Sequence, residues 1–206
     1  MKVIEPSVHP VWCTPEPSKV IEYAGRTAYK SEGKIKEGSD KEFIQMLLSR
    51  GHESVLEHAS ACLRFICDRG VTHELVRHRL VSYTQESTRY CNYSGDQFGN
   101  EITVINPCFW TKDSIKYREW FEFCEGAEKT YLLLLELGAH PQEARAVLPN
   151  CLKVEIVVTA NFREWRFILK LRTARTAHPQ MRQVMKIAKQ LLINYCPIVF
   201  EDDLKA

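Results

Sequence analysis

Apolar side chains in this chain recur mostly at helical spacing, and only two stretches alternate cleanly. Val20, Ile21, Ala24 and Ala28 form one stripe behind Pro17, so a helix is expected over 17–29 with proline in its first turn. Ser39-Asp40-Lys41-Glu42 has capping-box spacing, and Phe43, Ile44, Leu47 and Leu48 repeat until Gly51, which gives a second helix. Trp120, Cys124, Ala127, Tyr131 and Leu134 mark a long helix over 111–137, closed by Gly138 and Pro141. Further helices are expected over 71–81, 141–148, 161–172 and 179–195, the last with Met181, Val184, Ile187, Ala188, Leu191 and Leu192 inward. Against these stand two alternating strands: 60–67, through Ala61, Leu63, Phe65 and Cys67 and turned by Asp68-Arg69-Gly70, and the run Leu152, Val154, Ile156, Val158. Residues 101–105 read as a further strand and 90–100, rich in Asn, Ser, Gly and Asp, as a loop. Runs of helices with few strands between them specify an α+β fold, a small central sheet flanked by helices. With 206 residues and no linker or repeat, a single domain over 1–206 is expected.

Lys and Arg number 28 against 26 Asp and Glu, a formal charge of +2. That balance lacks the positive excess of proteins held to nucleic acid by phosphate contacts, so no nucleic-acid partner is expected and any anion binding must be local. No apolar run approaches the roughly 20 residues that span a bilayer, and Met1 to Pro6 lacks the apolar core of a signal peptide. The expectation is a cytoplasmic protein without a membrane partner. Its eight cysteines are scattered and form no C-x-x-C pair, so they read as reduced thiols, mostly core filler.

Nucleotide binding on a glycine-rich scaffold needs clustered glycines that let backbone amides reach phosphates, and this chain has no G-x-G. Phosphate binding would then fall to arginine, whose planar fork matches phosphate oxygens. The richest stretch is Arg77-His78-Arg79-Leu80-Val81-Ser82-Tyr83-Thr84-Gln85-Glu86-Ser87-Thr88-Arg89, suited to a phosphate plus a hydrogen-bonding ring. If 77–79 are helical their side chains diverge by about 100° each and serve different neighbours; Ser87 and Arg89, if extended, point to one side. A solvated basic helix end has the same composition.

The helical wheel singles out Arg172. Phe162, Trp165, Ile168 and Leu169 share a stripe and Arg172 lands within it, whereas Arg163, Arg166 and Lys170 lie opposite. A cation so placed must be paired with a buried carboxylate or bind a ligand, because an unpaired buried charge costs several kcal/mol. His52, His58, His73 and His78 crowd near Glu53, Glu57 and Glu74, but His73-Glu74-x-x-x-His78 misses H-E-x-x-H by one residue, leaving the imidazoles about 140° apart. No metal site is expected. Cys108 has no base or cation beside it in sequence to activate its thiol.

Together these segments resemble a known family. Arg77-His78-Arg79 followed after seven residues by Ser87 is similar to the signature of the flavin-dependent thymidylate synthases. Gly51-His52-Glu53-Ser54-Val55-Leu56-Glu57-His58 resembles the family's G-H-E-[ST]-x-x-E-H block, Ala144-Arg145-x-x-Leu148-Pro149 its A-R-x-x-L-P block, and Asn161-x-Arg163 with Leu171-Arg172 its N-x-R…L-R block. The resemblance implies a homotetramer with shared active sites that makes dTMP from dUMP for dTTP biosynthesis. 5,10-Methylenetetrahydrofolate would give the carbon, NADPH would reduce a bound FAD, and no enzyme cysteine need attack the pyrimidine.

By the same resemblance FAD would meet His52, Ser54, Arg77, His78, Arg79, Gln85, Asn161, Arg163 and His178. The dUMP contacts would be Glu74, Arg77, Gln85, Ser87, Arg89, Arg145 and Arg172, with Arg172 the catalytic group favouring ionisation at N3. Glu74 stands where many members have Gln, and the stretch from Arg172 to His178 is longer than usual, which brings in Arg175. Two readings of other classes use the same residues. An RNA-binding module would use the arginines with Tyr83, Tyr90 and Tyr93 as a stacking surface, and a metal hydrolase would use the histidines.

Overall fold

The computed structural model describes residues 1–201. In chain order the elements are β1 (Lys2–Ile4), β2 (Ser7–Cys13), α1 (Pro17–Tyr29), α2 (Ser39–Ser49), β3 (Ser60–Asp68), α3 (Arg69–Leu75) and β4 (Ser82–Gln85). There follow β5 (Thr103–Ile105), α4 (Ile115–Glu136), α5 (Pro141–Ala144), β6 (Lys153–Asn161), α6 (Phe162–Arg172), α7 (Pro179–Tyr195) and α8 (Pro197–Phe200). The architecture is α+β. One sheet has the order β2-β3-β6-β4; the other pairs β1 with β5 in parallel, Val3 opposite Val104. None of the described helices is long and apolar enough to cross a membrane.

The chain gathers into two compact units interleaved in sequence, the first from Met1–Ser7, Phe65–Arg77 and Thr84–Ile156, the second from Val8–Arg64, His78–Tyr83 and Val157 onward. In the first, Cys124 and Tyr131 on one face of α4 are buried with Tyr93, Ile102, Val104, Ala144 and Leu152. Ser114 starts α4 by accepting the Tyr117 amide at its Oγ (3.2 Å), and Gly138, at φ +91°, ends it. In the second, α6 buries Phe162, Trp165, Ile168 and Leu169, as its stripe demands. The Trp165 indole donates to the Ala61 carbonyl at 3.0 Å, so even its polar edge is satisfied.

Three local expectations change. The residue before α2 is Gly38, and Ser39 makes no cap: its hydroxyl donates to the Glu22 carboxylate at 2.8 Å. Glu22 is buried and also takes Arg26 at 2.9 Å, so a tertiary need outcompetes the local cap. Residues 68–70 do not form a turn, because Asp68 accepts the Val71 amide at 2.8 Å and starts α3. Finally, α3 ends at Leu75 rather than near 81, so the Arg77-His78-Arg79 run lies beyond any helix.

Candidate functional site

In the second unit the chain leaves β6 at Asn161, whose side-chain oxygen accepts the Glu164 amide at 2.8 Å and starts α6. The first turns of that helix border a cleft of about 720 Å³ with Asn161, Arg163, Arg166 and Lys170 in its wall, facing Glu53, Glu57 and Leu80. Arg163 donates to Glu57 at 2.6 Å and lies 3.9 Å from Glu53; Arg166 lies 3.5 Å from Glu53. Arg163 and Glu57 are about half exposed, and such pairs contribute little, so the guanidinium can exchange its partner for a ligand at small cost. Of the other residues assigned to FAD in this unit, His52 has Nδ1 3.1 Å from the Tyr29 hydroxyl and Ser54 is exposed in the 3₁₀ turn over 53–58. Arg79 is exposed, and His178 stands exposed before Pro179 at the start of α7. His52, Ser54, Arg79 and His178 do not form the wall of this cleft.

His78 and Arg172 come together. Arg172 Nε donates to His78 Nε2 at 3.0 Å, and His78 Nδ1 lies 3.6 Å from a Glu164 carboxylate oxygen. Burial, with the Arg172 charge second, holds the imidazole below its usual range; burial raises the Glu164 carboxyl. Tyr83 donates its hydroxyl to the His78 carbonyl at 3.1 Å and is pushed up to about 12, chiefly by burial. The structure gives Arg172 at least one built partner, an imidazole, which neither sequence alternative named.

The first unit contains Glu74, Arg77, Gln85, Ser87, Arg89 and Arg145. Arg77 is exposed past the end of α3, while Glu74 and Gln85 are half-buried on α3 and β4. Ser87 and Arg89 are not extended: the Ser87 carbonyl accepts the amides of Tyr90 (3.1 Å) and Cys91 (2.9 Å), and its hydroxyl accepts the Arg89 amide at 3.3 Å. Arg89 reaches Gln142 at 3.1 Å and lies over the Tyr90 ring at 5.3 Å. Arg145, just after α5, contacts the buried Thr88 hydroxyl at 3.5 Å. It borders a hollow of about 280 Å³ with Arg69, Thr88 and Asn150, and no carboxylate among the described residues lines it. Two guanidinium groups, a hydroxyl and an amide make a set that favours a phosphate.

Sequence reasoning missed Arg69, read as part of a turn, and Glu86. The Glu86 carboxylate accepts from the Tyr93 hydroxyl (3.0 Å), Lys153 (3.0 Å) and the Glu155 amide (3.1 Å), fixing the chain between Gln85 and Ser87. It also missed Glu164, whose place one turn into a helix carries no signal beyond its charge. None of the eight cysteines is in a disulfide; Cys108 is exposed, and the sulfurs of Cys124 and Cys151 lie 3.4 Å apart.

Residues 11–198 match the Thy1 family, thymidylate synthase complementing protein. A flavin-dependent thymidylate synthase of Pyrococcus horikoshii is 35% identical over 178 residues, 83% of this chain and 72% of that one. Relatives bearing the same name in Corynebacterium aurimucosum and Geobacter sulfurreducens are 33% and 32% identical, over 91% and 92% of this chain and 80% and 83% of theirs. This chain belongs to the flavin-dependent thymidylate synthase family. It is therefore an enzyme of that family, and the matched span takes in every candidate residue from His52 to His178. Its fold is also that of the UMP/dUMP methylase PolB from Streptomyces cacaoi, solved with 5-Br dUMP, at TM-score 0.82 and 23% identity over 98% of this chain and 96% of that one.

Proposed function

We propose that this family member methylates dUMP reductively to dTMP in the cytoplasm, with 5,10-methylenetetrahydrofolate as carbon donor and NADPH as reductant. The working form is a homotetramer whose sites, with bound FAD, are shared between subunits. The observation that carries the reading is the arginine-lined hollow beside Thr88, in the segment that holds Ser87 and Arg89. It supports a nucleotide phosphate held by side chains where the sequence has no glycine cradle.

The cleft by α6 fits a flavin. Its volume lies in the range of ligand sites, its wall offers Asn161 and the loosely held Arg163, and its acidic residues are matched by Arg163, Arg166 and Lys170. His52, Ser54, Arg77, His78, Arg79, Gln85, Asn161, Arg163 and His178 are the residues proposed to hold it, drawn from more than one copy of the chain. A bound flavin supplies the hydride that turns the transferred carbon into a methyl group. The chain's own part is electrostatic and positional. Arg89 and Arg145, with Ser87, hold the phosphate; Glu74, Arg77 and Gln85 complete the nucleotide contacts. Arg172, a cation that never loses its charge, meets the uracil edge and favours ionisation at N3.

Flavin binding and NADPH turnover test the reading. The purified protein is expected to be yellow, or to become so with FAD, and its NADPH oxidation to respond to dUMP. A colourless protein that binds no added FAD would refute it.

A further inference from the structure

Two thiols that the proposed reaction does not use meet inside the first unit. Cys124 on α4 and Cys151, two residues before β6, bring their sulfurs to 3.4 Å. Cys124 is 0% exposed and Cys151 is partly exposed, so an oxidant dissolved in water reaches Cys151 first. The two also differ in acidity. The hydrogen bond from Cys124 outweighs burial and, with Trp120, holds the Cys151 thiol below its usual range; the same bond, together with burial, raises Cys124. Cys124 is therefore the donor, and Cys151 carries the thiolate character that attacks an oxidant. A thiolate open to solvent with a second thiol in contact behind it is the arrangement of a reactive and a resolving cysteine. The backbone around Cys151 is pinned: its carbonyl accepts the Ile105 amide at 2.9 Å, and the next carbonyl back, that of Asn150, accepts the Gly70 amide at 3.3 Å. Asn150 is part of the wall of the hollow that holds Arg69, Thr88 and Arg145.

We propose that Cys124 and Cys151 are a redox pair that a hydroperoxide closes to a disulfide, and that closure weakens nucleotide binding in the hollow beside Asn150. The proposal rests on the proposed function only for the nucleotide that reads the hollow; the bond itself is a property of the two thiols. With hydrogen peroxide as the oxidant, the Cys151 sulfur attacks one peroxide oxygen. An S–O bond forms, the O–O bond breaks, and the hydroxide released takes the Cys151 proton to become water. The Cys124 sulfur then attacks the sulfenic sulfur. The S–S bond forms, the S–O bond breaks, and the second hydroxide leaves as water with the Cys124 proton. The pair has lost two electrons and two protons, and the peroxide has become two waters. Added dithiol reverses the step by exchange. A disulfide is about 2.05 Å long, so the sulfurs must draw together from 3.4 Å by more than an ångström. The core around them is close-packed, so the shift passes along the pinned backbone to Asn150.

The first readout needs no variant. The reduced holoenzyme is treated with hydrogen peroxide, its remaining thiols are alkylated, and its peptides are mapped by mass before and after dithiothreitol. A cross-link between the Cys124 and Cys151 peptides, lighter by two hydrogens and lost on reduction, is expected ahead of any oxidation of the exposed Cys108. Cys151 taken to sulfinic acid beside an unchanged Cys124 thiol, or a cross-link from either to Cys91 or Cys108, would overturn the pair. The second readout is dUMP titration calorimetry on the same samples. Affinity is expected to fall about fivefold or more on oxidation, the low end of usual couplings between sites, and to return with dithiothreitol. A cross-link that forms while dUMP affinity stays unchanged would overturn the control of the hollow. In Cys124→Ala, Cys151 is expected to stop at a sulfenic acid that dimedone traps, with dUMP affinity the same before and after brief peroxide treatment; Cys108→Ala is expected to keep the wild-type response. If the reduced protein binds no dUMP, the proposed function fails, and the peptide map still decides the pair. Should Cys124→Ala not fold, the map and the titration of the wild-type protein carry the test.

Discussion

Removing the Glu86 carboxylate tests how the nucleotide-facing segment is held. Glu86 lies between Gln85 and Ser87, and its backbone amide also donates to the Glu155 carbonyl at 2.8 Å. In Glu86→Ala three donors lose their acceptor: the Tyr93 hydroxyl, Lys153 and the Glu155 amide. Lys153 keeps Glu155 at 3.0 Å, so it loses only part of its pairing. The other two donors lose this acceptor in largely buried surroundings, at about 1–3 kcal/mol each, so the total is about 2–6 kcal/mol. Tyr93→Phe removes one bond and should cost about 1 kcal/mol. Urea unfolding of both variants measures this as a lower midpoint at unchanged slope. A loss below about 1 kcal/mol for Glu86→Ala would refute the reasoning, because it would mean that the three bonds contribute no more than one.

Arg145→Ala should weaken dUMP binding about 10- to 100-fold, the usual worth of a charge-assisted contact, and unchanged affinity by titration calorimetry would remove Arg145 from the phosphate site. Cys108→Ala should form dTMP at a rate within about twofold of wild type, and a dead variant would revive a thiol nucleophile. The folded protein holds the His78 imidazole below 6.5, so the unfolded chain takes up that proton first. Stability should therefore fall as pH drops through 6.5, with a shallower fall in His78→Gln; equal slopes by urea unfolding at several pH values would contradict the assigned burial.

Where local signals act alone, sequence and structure agree. α1 and α7 begin at Pro17 and Pro179, and each has an apolar stripe long enough to declare its period. β6 and α6 meet at Asn161 because alternation gives way to helical spacing at a capping residue. β2 and β4 went unread for a physical reason: they lie at the edges of their sheet, and β2 is mostly exposed and contains Pro10, so neither carries an alternating core face. The motif residues were legible as a set, but their partners were not. That Ser39 serves Glu22, that Glu86 gathers Lys153 and Tyr93, and that His78 lies between Arg172 and Glu164 are tertiary facts over 17, 67 and 94 residues of chain. Arg69 became visible only once the hollow beside Arg145 was formed.

The most direct measurement follows the pyrimidine itself. Flavin-loaded protein is incubated with dUMP, NADPH and 5,10-methylenetetrahydrofolate, and the nucleotide is analysed by mass. dTMP is expected to appear only when both co-substrates are present, and Arg172→Ala is expected largely to abolish it. Unaltered dUMP with the wild-type protein, or full dTMP formation without Arg172, would contradict it.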